Sequence, residues 1–274
     1  MPCLSCLANV FALHYLDSRR LFQGDLTDTI FSLLFCDDLM SREVLSKAMS
    51  ETLSGQDLGD ARVFFEKELQ ALMQQLSELG DDAELVDVAK IKLSIARARL
   101  GLGDHVSCWQ EARPLVKTFI EAEHFQQAVE ACELLYLSDQ DDSIIALGHG
   151  CWLAVTYPVE PALSVDMLSY IIDETPDNSD GAAVASVAAL YLAELRAKDE
   201  EKESLMFLAK QLIAMVAKRH RGIEDEESIQ IWIEMLELNN LDELFARLGK
   251  VIDAIVGNQW WIDRDDLRSR LPVN

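Results

Sequence analysis

Between Thr118 and Leu195 the chain contains no lysine and no arginine, although it carries 14 aspartate and glutamate residues there. Many of these acids lie in short polar segments such as 139–142 and 173–180, and the segments between them are strongly apolar. Residues 181–195 are almost wholly apolar and rich in alanine. Because a helix that is apolar on all sides is buried on all sides, this stretch predicts central helices whose ends and turns form an acidic rim.

Helical spacing of apolar residues continues through most of the chain. Phe65, Leu69, Leu72 and Leu76 are one example, and no segment shows a convincing two-residue strand period. Glycine, proline and acidic turns separate the helices into pairs that repeat about every 34–40 residues. The sequence therefore predicts an all-α fold in which antiparallel helix pairs stack as an α-solenoid, without significant β-sheet.

Three regions follow from the turn signals. We expect an N-terminal helical unit at 1–56, an α-helical repeat array at 57–257 and a C-terminal tail at 258–274. Within the array, Pro114 predicts the first turn of a new helix, because proline fits a helix start better than a helix interior. Asp142 is placed to cap the helix that follows it.

Two parts of the array combine an apolar helical segment with a polar turn. Residues 125–132 are followed by the loop at 139–142, and residues 165–172 are followed by the turn at 175–178. The first resembles the second helix of a tetratricopeptide repeat and its exit, and the second resembles the same unit one repeat later. The resemblance covers about residues 110–220, and it implies paired helices that line a concave face for binding a partner. It implies no catalytic residue.

Charge and cysteine usage restrict the class of function. The formal net charge is −24 and the sequence pI is about 4.4, which argues against nucleic-acid binding because phosphate contacts need an electropositive surface. No secretory signal is evident, and the apolar run at 3–16 is too short to span a bilayer. The six cysteines mostly fall within apolar helical patterns. We therefore expect a soluble, reduced, cytoplasmic protein that does not bind membranes.

Several groups of residues have types or spacings that also occur in metal sites or enzyme active sites. Cys3 and Cys6 have zinc-ligand spacing but lack a second pair. Glu121 and His124 have the Glu-x-x-His spacing of di-iron bundles, yet the sequence holds no second copy. His149 and Cys151 are two residues apart, so they point to different helix faces. A calcium loop starting at Asp139 would need Gly and Glu where Ile144 and Gly150 stand.

The sequence also lacks a P-loop, an HExxH motif and a Gly-x-Ser-x-Gly motif. We therefore predict a non-enzymatic protein without metal or cofactor. The alternatives are a metal-dependent or enzymatic helical bundle that uses Glu121, His124, His149 and Cys151, and an acidic mimic of nucleic acid.

The leading interpretation is a protein–protein interaction module, such as an adaptor, an assembly factor or a regulatory scaffold. Its acidic surface would bind a basic or amphipathic segment of another protein. Trp260 and Trp261 are adjacent aromatics in the tail, and one of them either caps the last helix or anchors the partner. The candidate contact residues are Asp139, Asp141, Asp142, Asp173, Glu174, Asp177, Asp180, Trp260 and Trp261.

Overall fold

The computed structural model describes residues 55–80 and 82–271, and it divides them into two compact units. The predictions for Cys3, Cys6 and nearly all of the 1–56 unit lie outside these residues. Every regular element among the described residues is a helix, which confirms the all-α prediction for this part of the chain. None of these helices is long and apolar enough to cross a membrane.

The first unit comprises described residues up to Val159. Its helices are α1 (Gly55–Glu78), α2 (Leu85–Gly101), α3 (His105–Glu121), α4 (Phe125–Leu137) and α5 (Ser143–Thr156). Each helix packs against the next one along the chain, and α2 also contacts α4. This pattern is that of a helical array, in which each new helix covers the apolar face of its predecessor.

The second unit comprises described residues from Glu160 onward. Its helices are α6 (Pro161–Glu174), α7 (Asp180–Arg196), α8 (Asp199–Arg221), α9 (Glu226–Met235), α10 (Leu241–Val256) and α11 (Arg264–Ser269). Helix α7 packs against α6, α8 and α10. Every residue from Gly181 to Ala193 is buried, which confirms the prediction that this alanine-rich helix is buried on all sides.

Two local predictions are wrong. Pro114 lies inside α3, because this helix begins nine residues earlier, where the Asp104 carboxylate accepts a hydrogen bond from the Ser107 N–H. Pro114 and Gln110 are exposed, so water can reach the Gln110 carbonyl that the proline leaves without its helical partner. Asp142 occupies the N-cap position of α5, but its side chain makes no capping hydrogen bond.

The neighbouring Ser143 organises the start of α5 in place of Asp142. Its hydroxyl accepts from the Gln140 N–H at 2.7 Å and donates to the Leu135 carbonyl at 2.8 Å. Both contacts are local, and they leave the carboxylates of Asp139, Asp141 and Asp142 exposed in the loop between α4 and α5.

Candidate partner-binding groove

An open groove of about 580 Å³ lies in the second unit, between the α6–α7 turn and the C-terminal half of α10. This volume is in the range of sites that hold small ligands or a few side chains. Carboxylates and apolar side chains both face it. The lining residues are Glu174, Thr175, Pro176, Asn178, Ser179, Asp180, Gly181, Val251, Ala254 and Ile255.

Side chains of the turn fix the shape of the groove. The Thr175 hydroxyl donates to the carbonyls of Ile171 and Ile172 at 2.7 and 2.9 Å, which ends α6. The Ser179 hydroxyl accepts from the Gly181 N–H at 3.1 Å, which begins α7. The two helix ends are therefore held on either side of Pro176, and the turn between them forms one wall.

Gly181 lies where the turn meets α10. A Cβ atom at this position would lie 3.2 Å from the Thr175 side chain, 3.2 Å from the Ser179 hydroxyl and 3.5 Å from the Val251 side chain. The first two contacts are tight, so an added side chain would press on the turn, whereas the distance to Val251 is an ordinary van der Waals contact. The absence of a side chain thus helps the turn to fold closely against the start of α7, and α10 supplies the apolar part of the groove.

Two of the predicted contact acids form ion pairs within the protein. Asp177 lies 3.4 Å from the Arg219 guanidinium, and the Asp180 carboxylate lies 3.5 Å from Arg247. Arg219 also donates to the Ile172 carbonyl at 3.0 Å. These two acids therefore connect the α6–α7 turn with α8 and the start of α7 with α10.

His220 is the most buried member of this network, with 1 % of its side chain exposed. Its Nδ1 accepts a hydrogen bond from the Trp232 indole N–H at 3.3 Å. Its Nε2 lies 3.2 Å from the Asn178 carbonyl and 3.3 Å from the Asp180 carboxylate. The imidazole consequently joins α8 and α9 to the rim of the groove.

Sequence reasoning missed the residues that complete the site. Lys218, Arg219, His220 and Arg221 lie in the last turn of α8, where cations favour the helix dipole. Sequence reasoning did not connect these cations with the acids some 40 residues earlier. When an acidic turn and a basic helix end occur in neighbouring helix pairs of a sequence, they indicate that ion pairs can form between them. The α10 residues Val251, Ala254 and Ile255 gave no signal beyond an ordinary apolar stripe.

The remaining predicted acids occupy two places. Asp173 and Glu174 are exposed at the C-terminal end of α6, and Glu174 lines the groove. Asp139, Asp141 and Asp142 are exposed in the α4–α5 loop, which belongs to the other unit. Asp139 has a φ of 52°, in the left-handed region that aspartate tolerates better than most residues.

The tail folds back on α10. The Arg264 guanidinium lies 3.6 Å from the centre of the Trp260 ring, and it pairs with Asp253 of α10 at 2.6 Å. Leu267 of α11 is buried, and Trp260 and Trp261 are both partly buried. These contacts place the Trp260 ring against Arg264 of the tail, and both the capping and the anchoring roles of the two tryptophans stay predictions.

The residues of the enzymatic and metal alternatives lie in or directly beside α3, α4 and α5. Glu121 ends α3 and pairs with Lys117 at 3.6 Å, whereas His124 is the N-cap residue of α4. The buried His149 ring contacts the Ile145 carbonyl at 2.8 Å through Nδ1. Burial raises the pKa of the Cys151 thiol well above its ordinary value.

Among residues 55–80 and 82–271, no three His, Cys, Asp or Glu side chains lie close enough together to hold a metal ion. Comparison of the chain with protein-family models, curated proteins and solved structures found no match.

Proposed function

We propose that this protein is a non-enzymatic interaction module that binds a short basic and aliphatic segment of another protein. The segment occupies the groove between the α6–α7 turn and α10. We further propose that the array is a degenerate relative of tetratricopeptide repeats, and that the protein acts in the cytoplasm as an adaptor, an assembly factor or a regulatory scaffold.

The observation that carries this proposal is the composition of the groove. Val251, Ala254 and Ile255 offer apolar contact, and Glu174 and Asp180 place carboxylates beside them. Peptide-binding surfaces commonly combine such features, because apolar contacts give affinity while charges give orientation and fast association. The net charge of −24 supports a positively charged partner over a nucleic acid.

The size of the groove limits what it holds. A volume of about 580 Å³ is suited to a few side chains and does not enclose a whole helix. We therefore propose a short segment with a lysine or arginine next to one or two aliphatic residues.

Peptide selection tests this function. The biotinylated full-length protein is used to select peptides from a random display library, and the selected peptides are then measured against two variants. Ala254→Trp fills the groove from an exposed position of α10, and Ala71→Trp is the matched control on exposed α1. We expect enrichment of Lys or Arg beside aliphatic residues, and loss of binding by Ala254→Trp alone.

Two results would refute the proposed function. One is a selection without enrichment of cationic sequences. The other is a set of peptides that bind wild-type protein and Ala254→Trp equally well, because the binding surface would then lie elsewhere.

A further inference from the structure

Helix α9 carries apolar side chains on more sides than the protein covers. Ile229, Trp232 and Ile233 are buried, whereas 50 % of Ile231 and 77 % of Met235 are exposed. A helix that is apolar on all sides is normally buried on all sides. One side of α9 therefore offers apolar contact to a molecule outside the unit.

Two carboxylates lie beside these exposed apolar side chains. Glu227, Ile231 and Met235 follow one another at four-residue spacing, and Glu234 comes three residues after Ile231. Residues at these spacings share one side of a helix, and all four are exposed; they are called the α9 face below. Neither Glu227 nor Glu234 forms an ion pair with another described residue.

The sequence around α9 supplies no positive charge to this face. Residues 222–246 include eight acidic residues and no lysine or arginine. Lys218 pairs with Glu224 before the helix, and Arg247 donates to the Leu236 carbonyl at its end. An apolar surface edged with carboxylates is complementary to an apolar surface edged with cations.

A buried amide borders the acidic edge of the face. The Gln230 Nε2 donates to the Glu234 carboxylate at 3.2 Å, so the amide is directed toward this edge. The Gln230 Oε1 is buried and has no hydrogen-bond partner among the described residues. A buried acceptor without a donor is unfavourable. A guanidinium that paired with Glu234 would have further N–H groups to donate to this amide.

We propose that the α9 face binds a basic amphipathic helix of another protein. Aliphatic side chains of that helix contact Ile231 and Met235, and its arginines pair with Glu227 and Glu234. A helix fits better than an extended segment, because the backbone groups of α9 are bonded within the helix and offer no edge for a strand. No α9 residue lines the groove described above, so this surface is a second one.

Charge disfavours two other occupants of the α9 face. A second copy of the chain that paired symmetrically through this face would bring Glu227 and Glu234 of the two copies close together. A membrane surface rich in anionic lipids would meet the same carboxylates. A cationic helix is the occupant that gains from both the apolar side chains and the acids.

NMR of the full-length protein, labelled with ¹⁵N and at the methionine ε-methyl groups, tests this proposal. The probe is acetyl-ALARLAARLAARLAA-amide, whose leucines and arginines follow neighbouring stripes of one helix. Its matched control has glutamate in place of each arginine. We expect the arginine peptide to shift the Met235 methyl signal and to leave the signal of Met73, on exposed α1, unchanged. The glutamate peptide should bind more weakly by about fivefold or more.

Substitutions at exposed positions separate charge from apolar contact. Glu227→Gln and Glu234→Gln should each weaken the arginine peptide about two- to fivefold, which is the range of an exposed ion pair. Ile231→Ser should weaken it about three- to tenfold, because it removes apolar contact. Glu203→Gln and Met73→Ser are the matched controls at exposed positions outside the α9 face, and they should bind the peptide as wild type does.

Three results would overturn the assignment of the α9 face. One is an arginine peptide that leaves the Met235 signal unchanged, and another is equal binding of the two peptides. The third is a Met235 signal that shifts with protein concentration alone, because a second copy would then cover the face. An arginine peptide that shifts the Ala254 amide but not the Met235 methyl group would support the proposed groove and overturn this assignment.

Discussion

The Nε2 atom of His220 lies 3.3 Å from a carboxylate oxygen of Asp180, and the other Asp180 oxygen lies 3.5 Å from Arg247. Half of the Asp180 side chain is exposed, and about a fifth of the Arg247 side chain is. One carboxylate at the start of α7 therefore contacts α8 and α10. Residues with several partners on different elements contribute more to stability than isolated surface pairs do.

We predict that Asp180→Asn lowers the free energy of unfolding by about 1–2 kcal/mol, from the lost ion pair with Arg247 and the lost charge at the α7 N-terminus. Urea unfolding followed by tryptophan fluorescence measures this change. Asp139→Asn is the control: it removes the same charge from an exposed loop, and asparagine tolerates the positive φ at this position. A loss no greater for Asp180→Asn than for Asp139→Asn would contradict the structural role of the pair.

His220 provides a second prediction, because the Trp232 indole N–H can only donate a hydrogen bond. The His220 Nδ1 that faces it at 3.3 Å must therefore accept, and the proton of the neutral ring must lie on Nε2. The Nε2–H can then donate to the Asn178 carbonyl or to Asp180. Long-range ¹H–¹⁵N NMR spectra of the imidazole should show the Nε2–H tautomer for His220 at pH 8. The opposite tautomer would show that the contact with Trp232 does not form.

Periodicity was sufficient to predict the helical class and the position of the buried α7. These features depend on many apolar residues at once, so a single misread residue does not change the result. The exposure of the acids was also predictable, since Asp139, Asp141, Asp142, Asp173 and Glu174 are all exposed. What the sequence could not provide was the pairing of Asp177 and Asp180 with Arg219 and Arg247. That pairing depends on which helix ends meet after folding.

Pro114 shows a different limit of sequence reasoning. The preference of proline for the first turn of a helix is only a statistical tendency. In α3 the N-cap residue Asp104 and the apolar contacts of the helix outweigh this preference. The buried residues Ala112, Leu115, Val116 and Phe119 surround Pro114 in sequence. Their packing stabilises a helix that the local preference of proline disfavours.

This conflict leads to a third prediction. Pro114→Ala should raise the free energy of unfolding by about 1–2 kcal/mol, because it restores a helical hydrogen bond to the Gln110 carbonyl. The gain is smaller than the full helix-propensity difference of about 3 kcal/mol, since Gln110 is exposed and water already hydrates its carbonyl in the wild-type protein. Thermal and urea unfolding measure the effect.

Pro161 is the matched control for this substitution, since it occupies the first turn of α6. Proline is favoured there, so Pro161→Ala should lower stability by a few tenths to about 1 kcal/mol. Equal effects of the two substitutions would show that the position of proline in the helix does not decide the outcome.

The fully buried Cys132 supplies the last prediction, which concerns pH. Burial raises the pKa of its thiol from the ordinary value of 9.0 to about 12, although the nearby Arg113 guanidinium acts in the opposite direction. Between these two values the thiol ionises in the unfolded chain but stays protonated in the folded one. Its contribution to stability is therefore complete below pH 9 and is lost as the pH rises toward 12.

We expect wild-type protein to lose about 1–2 kcal/mol more than Cys132→Val between pH 8 and about pH 10.5. Urea unfolding of both proteins across this range measures the contribution, which includes the effect of Cys132 on the pKa of the neighbouring Cys151 thiol. Parallel pH profiles would mean that the Cys132 thiolate forms as readily in the folded protein as in the unfolded chain.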